Sequence, residues 1–398
     1  MTFSTSSSSS VGARLVAAAL VALFTSFARA GAPAPDDLVS IAVLAPVPPP
    51  SGQAPVDRIA EALSGALAAR GFGVLPQSDV DAVLARHRER YTGGVSGSMA
   101  MAFAAESGVT GILITSIDDW DEAEPPRVAL TCRFVAATAD TPILWIDTAA
   151  RHALERPGAF GLGLGKDAFV LLDEAVEELA DGLAANGGAL RAGDAGARTR
   201  RRQVERRFRP RSMAFDASRA VPAEGAAKVR VAVLPFFTDG PDREIGEIVA
   251  LQFVQQLTKQ DAYDVLEPGV VRQALLDARV IQDQGVSLTQ VDAVRALLNV
   301  DAVVSGRVSE YEPLGIDAGS PTVAFTASAI DARSRRVIWA SFSFARGDDG
   351  LHLFGTGHVR SAVRLTSELV RGVVERVEEL THRSASHAPS QPPKEGNP

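Results

Sequence analysis

Few side chains in this sequence stand at spacings that do chemistry, and each set fails on a specific requirement. Gly158-Ala-Phe-Gly-Leu-Gly-Leu-Gly-Lys166-Asp167 has the glycine density of a phosphate-cradling loop. A P-loop needs Gly five residues before the Gly of its Gly-Lys pair, and that position is Phe160. It also needs Ser or Thr after Lys to hold Mg²⁺, and Asp167 stands there. A later run, Phe354-Gly-Thr-Gly-His358, has no Lys. Both read as turns entering a helix, and neither is a dinucleotide fingerprint, because each follows a hairpin. The six histidines are His87, His152, His352, His358, His382 and His387, and no pair has H-E-x-x-H spacing. No metal site and no cofactor is expected from them.

Asp118, Asp119, Asp121, Glu122 and Glu124 form an acidic run. Carboxylate clusters bind Ca²⁺ or supply acid–base pairs. Pro125-Pro126 follows, so a solvated loop is the expectation. Cys132 is the single cysteine, flanked by Thr131 and Arg133. Arg133 would lower its pKa, but a packed strand thiol is the reading preferred here, and no G-x-S-x-G elbow supplies another nucleophile. Catalytic residues are therefore expected to be none. Two binding candidates remain. Arg198, Arg200, Arg201, Arg202, Arg206, Arg207, Arg209 and Arg211 crowd one short span, either a plain solvated linker or an anion-binding strap for lipid headgroups, peptidoglycan carboxylates or an acidic partner. Phe236-Phe237 is a candidate partner contact, the alternative being that both rings pack under the next helix.

The composition narrows the class. The chain has 398 residues, 46% hydrophobic and 22% charged, ample for a buried core. A net charge of −8 argues against nucleic acid as a partner. One cysteine excludes an internal disulfide and any cysteine-rich zinc site. At the N-terminus, Arg14 is followed by the apolar run Leu15 to Phe24, with Ala28 and Ala30 as small residues of an A-x-A site. This predicts a signal peptide over residues 1–30 and export. That segment holds no cysteine for a lipid anchor, and no later stretch is long and apolar enough for a transmembrane segment.

An internal repeat organises the elements that must position everything else. Ile41-Ala-Val-Leu44 matches Val231-Ala-Val-Leu234, Val74-Leu75 matches Val265-Leu266, and Val109 to Ile114 matches Val300 to Ser305. Val128-Ala-Leu-Thr131 matches Val323-Ala-Phe-Thr326, Trp145 matches Trp339, and Gly161-Leu-Gly163 matches Gly355-Thr-Gly357. The offset is about 190 residues and drifts to about 195, as a tandem duplication predicts. Each copy reads β-α-β-α-β-β-β-α. Helical spacing appears in Val56, Ile59, Leu63, Leu67 and in Ile245, Ile248, Leu251, Val254. A further helix is expected at Leu288 to Leu298 in the second copy only, with Ser287 as N-cap. Third strands are expected at Ile112 to Ile117 and Ala302 to Val308, and closing helices at Lys166 to Leu183 and His358 to Leu380. The fold class is α/β, with helices on a mixed (α+β) sheet in each copy. The divisions are module 1 over 38–186, a Gly/Arg-rich linker over 187–227, module 2 over 228–383, and a disordered tail over 384–398.

The second copy reads VRVAVLPFFTDGPDREIGEIVALQFVQQL, YDVLEPGVVRQAL and ALLNVDAVVSGRVSEYE. It resembles a superfamily of envelope modules that includes the periplasmic part of the curli secretion channel CsgG, the penicillin-binding-protein activator LpoB and the N-terminal domain of TolB. The opening strand, here Ala232 to Phe236, and the strand Asp301 to Val308 carry the resemblance. The first copy departs from it at Leu44-Ala45-Pro46 and Gly111. The resemblance implies a non-enzymatic protein that binds other envelope proteins or assembles with itself. The expectation is thus a periplasmic adaptor or regulator of envelope assembly, free or peripheral at the outer membrane. The alternatives are a component of a curli-type secretion ring, acting as a homo-oligomer, and an envelope hydrolase or small-ligand binder. A membrane pore is disfavoured, because the segments between strands are too short and polar.

Overall fold

The computed structural model describes residues 39–49, 53–88, 93–154, 167–187, 190, 205–216, 227–239, 242–279, 285–313, 320–350 and 357–386. The segment read as a signal peptide, the Gly-rich run 158–166, Arg198 to Arg202, and residues 387–398 of the tail lie outside them.

In the first half, strand β1 (Ser40–Val43) leads through helix α1 (Val56–Ala69) to the short β2 (Gly73–Val74). Helices α2 (Gln77–His87) and α3 (Gly97–Ser107) follow, then β3 (Gly111–Asp121), β4 (Arg127–Ala136), β5 (Ile143–His152) and helix α4 (Ala168–Ala185). The second half opens with β6 (Ser212–Phe215) and β7 (Val229–Val233), then β8 (Phe237–Thr238) and helix α5 (Glu244–Thr258). It continues with β9 (Tyr263–Val265), α6 (Pro268–Asp277), α7 (Leu288–Leu298), β10 (Ala302–Glu312), β11 (Thr322–Asp331), β12 (Val337–Arg346) and α8 (Ala362–Ser386). The α/β mixed-sheet class expected from the pattern is present.

Local chemistry sets the helix starts. Ser96 Oγ accepts from Met99 N at 3.3 Å to open α3, and Asp167 accepts from Val170 N at 2.8 Å to open α4. Ser287 and Gln290 form a reciprocal capping box at α7, where the sequence places that cap. The helix α3 in the first half was not anticipated. Its alanine-rich sequence, GSMAMAFAAES, has little amphipathic signal, and only Met99, Ala100 and Phe103 are buried.

The two sheets carry the same strand order, β2-β1-β3-β4-β5 and β9-β7-β10-β11-β12, with β6 added at the edge of the second. The opening strands pair in parallel, and the last three antiparallel. Bulges fall at matching places: between Ile117 and Asp119 and between Val308 and Glu310, and again at Phe134/Val135 and Ala329/Ile330.

Strand alternation sends side chains to two layers. Ile41 and Val43 face α1 and α4, whereas Ala42 and Leu44 face the opposite side. In the second sheet Val231 and Val233 face α5 and α8, and Ala232 and Leu234 face α6 and α7. Helix α5 is the hinge of the packing. Its Phe253 stacks on Phe236 at 5.2 Å and on Trp339 at 6.4 Å, and meets Phe325 edge-on at 6.0 Å. Its other side lies on the first sheet, where Ile248 packs with Ala129 and Ala150. The described residues therefore form one compact unit with a core shared by both halves.

Matching strands show which way the halves stack. Ser116, Thr131 and Thr148 lie in one cross-strand row of the first sheet, and Arg307, Thr326 and Phe342 in the matching row of the second. Thr131 and Thr148 are covered by α5. Phe342 is 37% exposed and Val337 49%. The same face is thus sealed in one half and open, among the described residues, in the other.

Two expectations are corrected. The acidic run is not a solvated loop throughout: Asp118, Asp119 and Asp121 belong to β3 and Asp118 is buried, while Glu122 and Glu124 are exposed in the loop that follows. Arg127 of β4 lies opposite Asp121 and pairs with Asp119 at 3.1 Å and Asp121 at 2.8 Å, which lets the strand run on through its charges. The span 187–227 is not linker throughout. Ser212–Phe215 pairs with the open edge of β12, and Phe208, 2% exposed, plugs the core beneath α8.

Candidate functional site

The polar chemistry of the molecule concentrates along the seam between the first sheet and helices α5, α6 and α8. At its centre Arg133 projects from β4 into the interior. Its Nη2 lies 2.9 Å from Glu267 Oε1 and its Nε donates to the same oxygen at 3.0 Å. Arg133 also donates to the carbonyl of Gly93. Glu267 Oε2 in turn caps α6, accepting from the amides of Gly269 and, at 3.0 Å, Val270. Both carboxylate oxygens, and Nε and Nη2 of the guanidinium, thus have partners, which burial at this depth requires.

Beside the ion pair runs a ladder of neutral groups. Gln252 Nε2 donates to Thr148 Oγ1 at 3.1 Å and lies 3.4 Å from Thr131 Oγ1. Thr131 and Thr148 hydroxyls meet at 2.8 Å, and Thr148 donates to Gln255 Oε1 at 3.3 Å. Gln255 Nε2 reaches Asp147 at 2.6 Å, where Lys259 also arrives at 3.2 Å. The ladder ties a threonine-bearing strand pair to a glutamine-bearing helix. Such a network fixes register because each unmade bond leaves a buried dipole unpaired.

At one end of the ladder the bulge at Asp118 turns its carboxyl inward. Thr131 and Ser116 hydroxyls donate to it, at 2.5 and 2.8 Å. Burial nonetheless dominates and pushes Asp118 up to about 7. Burial also raises Asp119, against the opposing pull of Arg127. A cavity of about 720 Å³ opens there, lined by these acids, Trp120, Arg127 and Tyr311. Tyr311 is held well above its ordinary value by burial and by the two aspartates. At the other end a cavity of about 540 Å³ is lined by β5, α4, α5 and α8. His152, 3% exposed, lies in its wall. Its Nδ1 accepts from Leu154 N at 3.1 Å, while Nε2 is buried and has no hydrogen-bond partner among the described residues. Burial, with Arg127, Arg360 and His358, pushes His152 down to about 4.

The residues singled out in the sequence fall elsewhere. Arg207 donates to Gly357 O at 2.7 Å, pairs with Glu205 at 2.8 Å and lies over the Phe208 ring. Arg209 pairs with Glu379 at 2.9 Å, and Arg211 with Phe344 O at 3.2 Å and Asp349 at 3.5 Å. These three clamp the added strand onto the second sheet. Arg206 lies in the single turn before it. Phe236 is 4% exposed and stacked in the core, so it offers no surface, and Phe237 is half-buried in β8. Cys132 is buried, 3.3 Å from Thr115 Oγ1, and burial pushes its thiol up to about 12. It is not a thiolate at neutral pH. His87 pairs with Glu106, and His358 contacts Ser320 Oγ at 3.0 Å. Among the described residues no three His, Cys, Asp or Glu side chains converge to hold a metal, and no helix is long and apolar enough to cross a membrane.

No protein-family profile and no curated protein matches the chain. Solved structures are similar over part of it. The PelC dodecamer from Paraburkholderia phytofirmans is 18% identical, over 42% of this chain and 96% of that one, with a TM-score of 0.29. Lipoprotein GNA1162 from Neisseria meningitidis is 16% identical, over 36% and 99%, with a TM-score of 0.27. The LpoB C-terminal domain from Escherichia coli is 14% identical, over 32% and 91%, with a TM-score of 0.22.

Proposed function

We propose that the chain is an exported, non-enzymatic interaction protein of the periplasm, an adaptor or regulator of envelope assembly built from two CsgG/LpoB-like modules. The observation that carries the reading is the unequal treatment of equivalent sheet faces. The face of Thr131 and Thr148 is sealed by α5, whereas the row of Arg307, Thr326 and Phe342 has no covering helix among the described residues and leaves Phe342 37% exposed. A large apolar side chain left exposed on an uncovered sheet face, with a charged residue at its edge, marks a contact surface.

The test is crosslinking of the tagged protein in its native cells, followed by mass spectrometry, beside Phe342→Asp. The reading expects one envelope protein enriched from the periplasmic fraction and lost in the variant, with the circular dichroism spectrum unchanged. Recovery from the cytoplasm, or identical capture by both forms, would overturn it.

Self-assembly into a ring is the second reading, because the two halves stack head to tail, and such contacts can propagate. Against it, α1 carries Arg58 and Glu61 where the matching positions of α5 carry Ile248 and Leu251, so its outer face is built for water. Sedimentation of the purified protein separates the two: discrete multimers favour the ring, a monomer the adaptor.

A further inference from the structure

We propose that the cavity between β5 and helices α4, α5 and α8 binds a carboxylate-bearing small molecule or chain terminus, received by the Nε–H groups of His152 and Arg371. This goes beyond the adaptor reading and does not depend on it.

Leu154 N–H donates to His152 Nδ1, so that nitrogen carries no proton. Burial and the neighbouring Arg127, Arg360 and His358 keep the ring neutral at ordinary pH. A neutral imidazole with a bare Nδ1 has its proton on Nε2. Nε2 is therefore a donor, buried and without an acceptor among the described residues, on a residue in the cavity wall. Across the seam, Arg371 uses Nη2 for Glu368, while its Nε–H is also buried and unpaired. Two residues of the cavity wall, one from each half of the molecule, thus carry a buried N–H with no acceptor among the described residues. Buried donors in native proteins nearly always find an acceptor.

The rim selects the charge. Arg151 is paired with Glu178, Lys259 with Asp147 and Arg371 with Glu368. Cations matched by carboxylates disfavour a dianion, which would sit against the rim acids. One carboxylate, with or without a nearby ammonium, is the proposed acceptor, offering one oxygen to each donor. The volume of about 540 Å³ suits a ligand of amino-acid or dipeptide size.

The test uses the full chain, with calorimetry and NMR detection of the ¹⁵N-labelled His152 imidazole. The probes are glycine, N-acetylglycine, acetate, methylammonium and inorganic phosphate. Glycine or N-acetylglycine should bind with Kd near or below about 1 mM and shift the Hε2 resonance. Tighter binding of glycine identifies a free zwitterion; tighter binding of N-acetylglycine identifies a chain terminus. His152→Phe and, independently, Arg371→Gln should each weaken binding about tenfold, the loss of one hydrogen bond to a charged acceptor. If His152→Phe does not fold, Arg371→Gln decides alone, since that side chain is part-exposed. A response to methylammonium or phosphate but not to the carboxylates would overturn the proposal, as would no response to any probe, or unchanged binding in a folded variant.

Discussion

Arg133 and Glu267, 134 residues apart, form a buried ion pair in which one carboxylate oxygen takes both guanidinium contacts and the other caps a helix. Their side chains are 2% and 0% exposed. Removing one partner strands a charge in the seam. Arg133→Met and Glu267→Gln should each cost about 3–5 kcal/mol of unfolding free energy. The double variant should cost clearly less than the sum, because neither charge is then orphaned. Urea midpoints measure this, and strict additivity would show that the pair does not couple the two halves.

Gly94 and Gly269 let the halves approach at the same place. A Cβ on Gly94 would lie 2.3 Å from Gly269 Cα, and one on Gly269 would lie 2.4 Å from Val95 N. Both obstacles are backbone and cannot swing away. Gly94→Ala and Gly269→Ala should each lower stability by at least about 1–3 kcal/mol through overpacking. Gly65→Ala, in α1 with no atom within 4 Å of the new methyl, should instead stabilise by about 0.5–1 kcal/mol. A seam variant as stable as the parent in thermal unfolding would mean the close approach is not required.

Two buried groups give opposite pH dependences. Asp118 is raised to about 7 in the folded state, so it keeps its proton more tightly there than in the unfolded chain. Its contribution is complete below about pH 4, the ordinary aspartate value, and is lost as pH rises toward about 7. His152 is lowered to about 4, so its contribution is present above about pH 6.5 and is lost as pH falls toward about 4. In the parent the two trends offset each other across that window. Asp118→Asn should leave stability rising with pH over it, and His152→Phe should leave it falling. Urea titrations at several pH values test this, and the same slope in both variants would refute the assignment.

Much of the scaffold was legible because its signals are local. The strand Val231 to Leu234, the cap at Ser287 and the hairpin around Trp339 each follow from β-branched runs, a cap residue or turn chemistry within a few positions. The seam was not legible, because it depends on pairs such as Arg133 with Glu267 that no local pattern joins. A hint was present: an arginine inside the otherwise apolar VALTCRFVA run needs a buried acid somewhere. The run at Asp118 misled for the same reason. Its carboxylates looked solvated until Arg127 across the strand pair supplied the counter-charge. Charge density likewise drew attention to the arginine span, whereas the informative residues there were Phe208, which enters the core, and the alternating Met213 and Phe215 of the strand that joins the second sheet.

Cys132 offers a way to time the opening of the first sheet. Its thiol is buried on β4, contacts Thr115 and is pushed up to about 12, so neither access nor ionisation favours attack. In the folded protein a maleimide or aromatic disulfide reagent should label it only when β3 and β4 separate. Labelling should therefore be slow in buffer, and should accelerate with urea in parallel with the unfolding signal. Arg133→Met, which loosens the neighbouring position of the same strand, should speed labelling by at least about tenfold, the factor that corresponds to about 1.4 kcal/mol of lost protection. Gly65→Ala, exposed on the outer side of α1, the helix whose inner side packs with Cys132, should leave labelling unchanged or slow it. Rapid labelling of the parent in buffer would mean that β4 opens on its own, without unfolding of the seam.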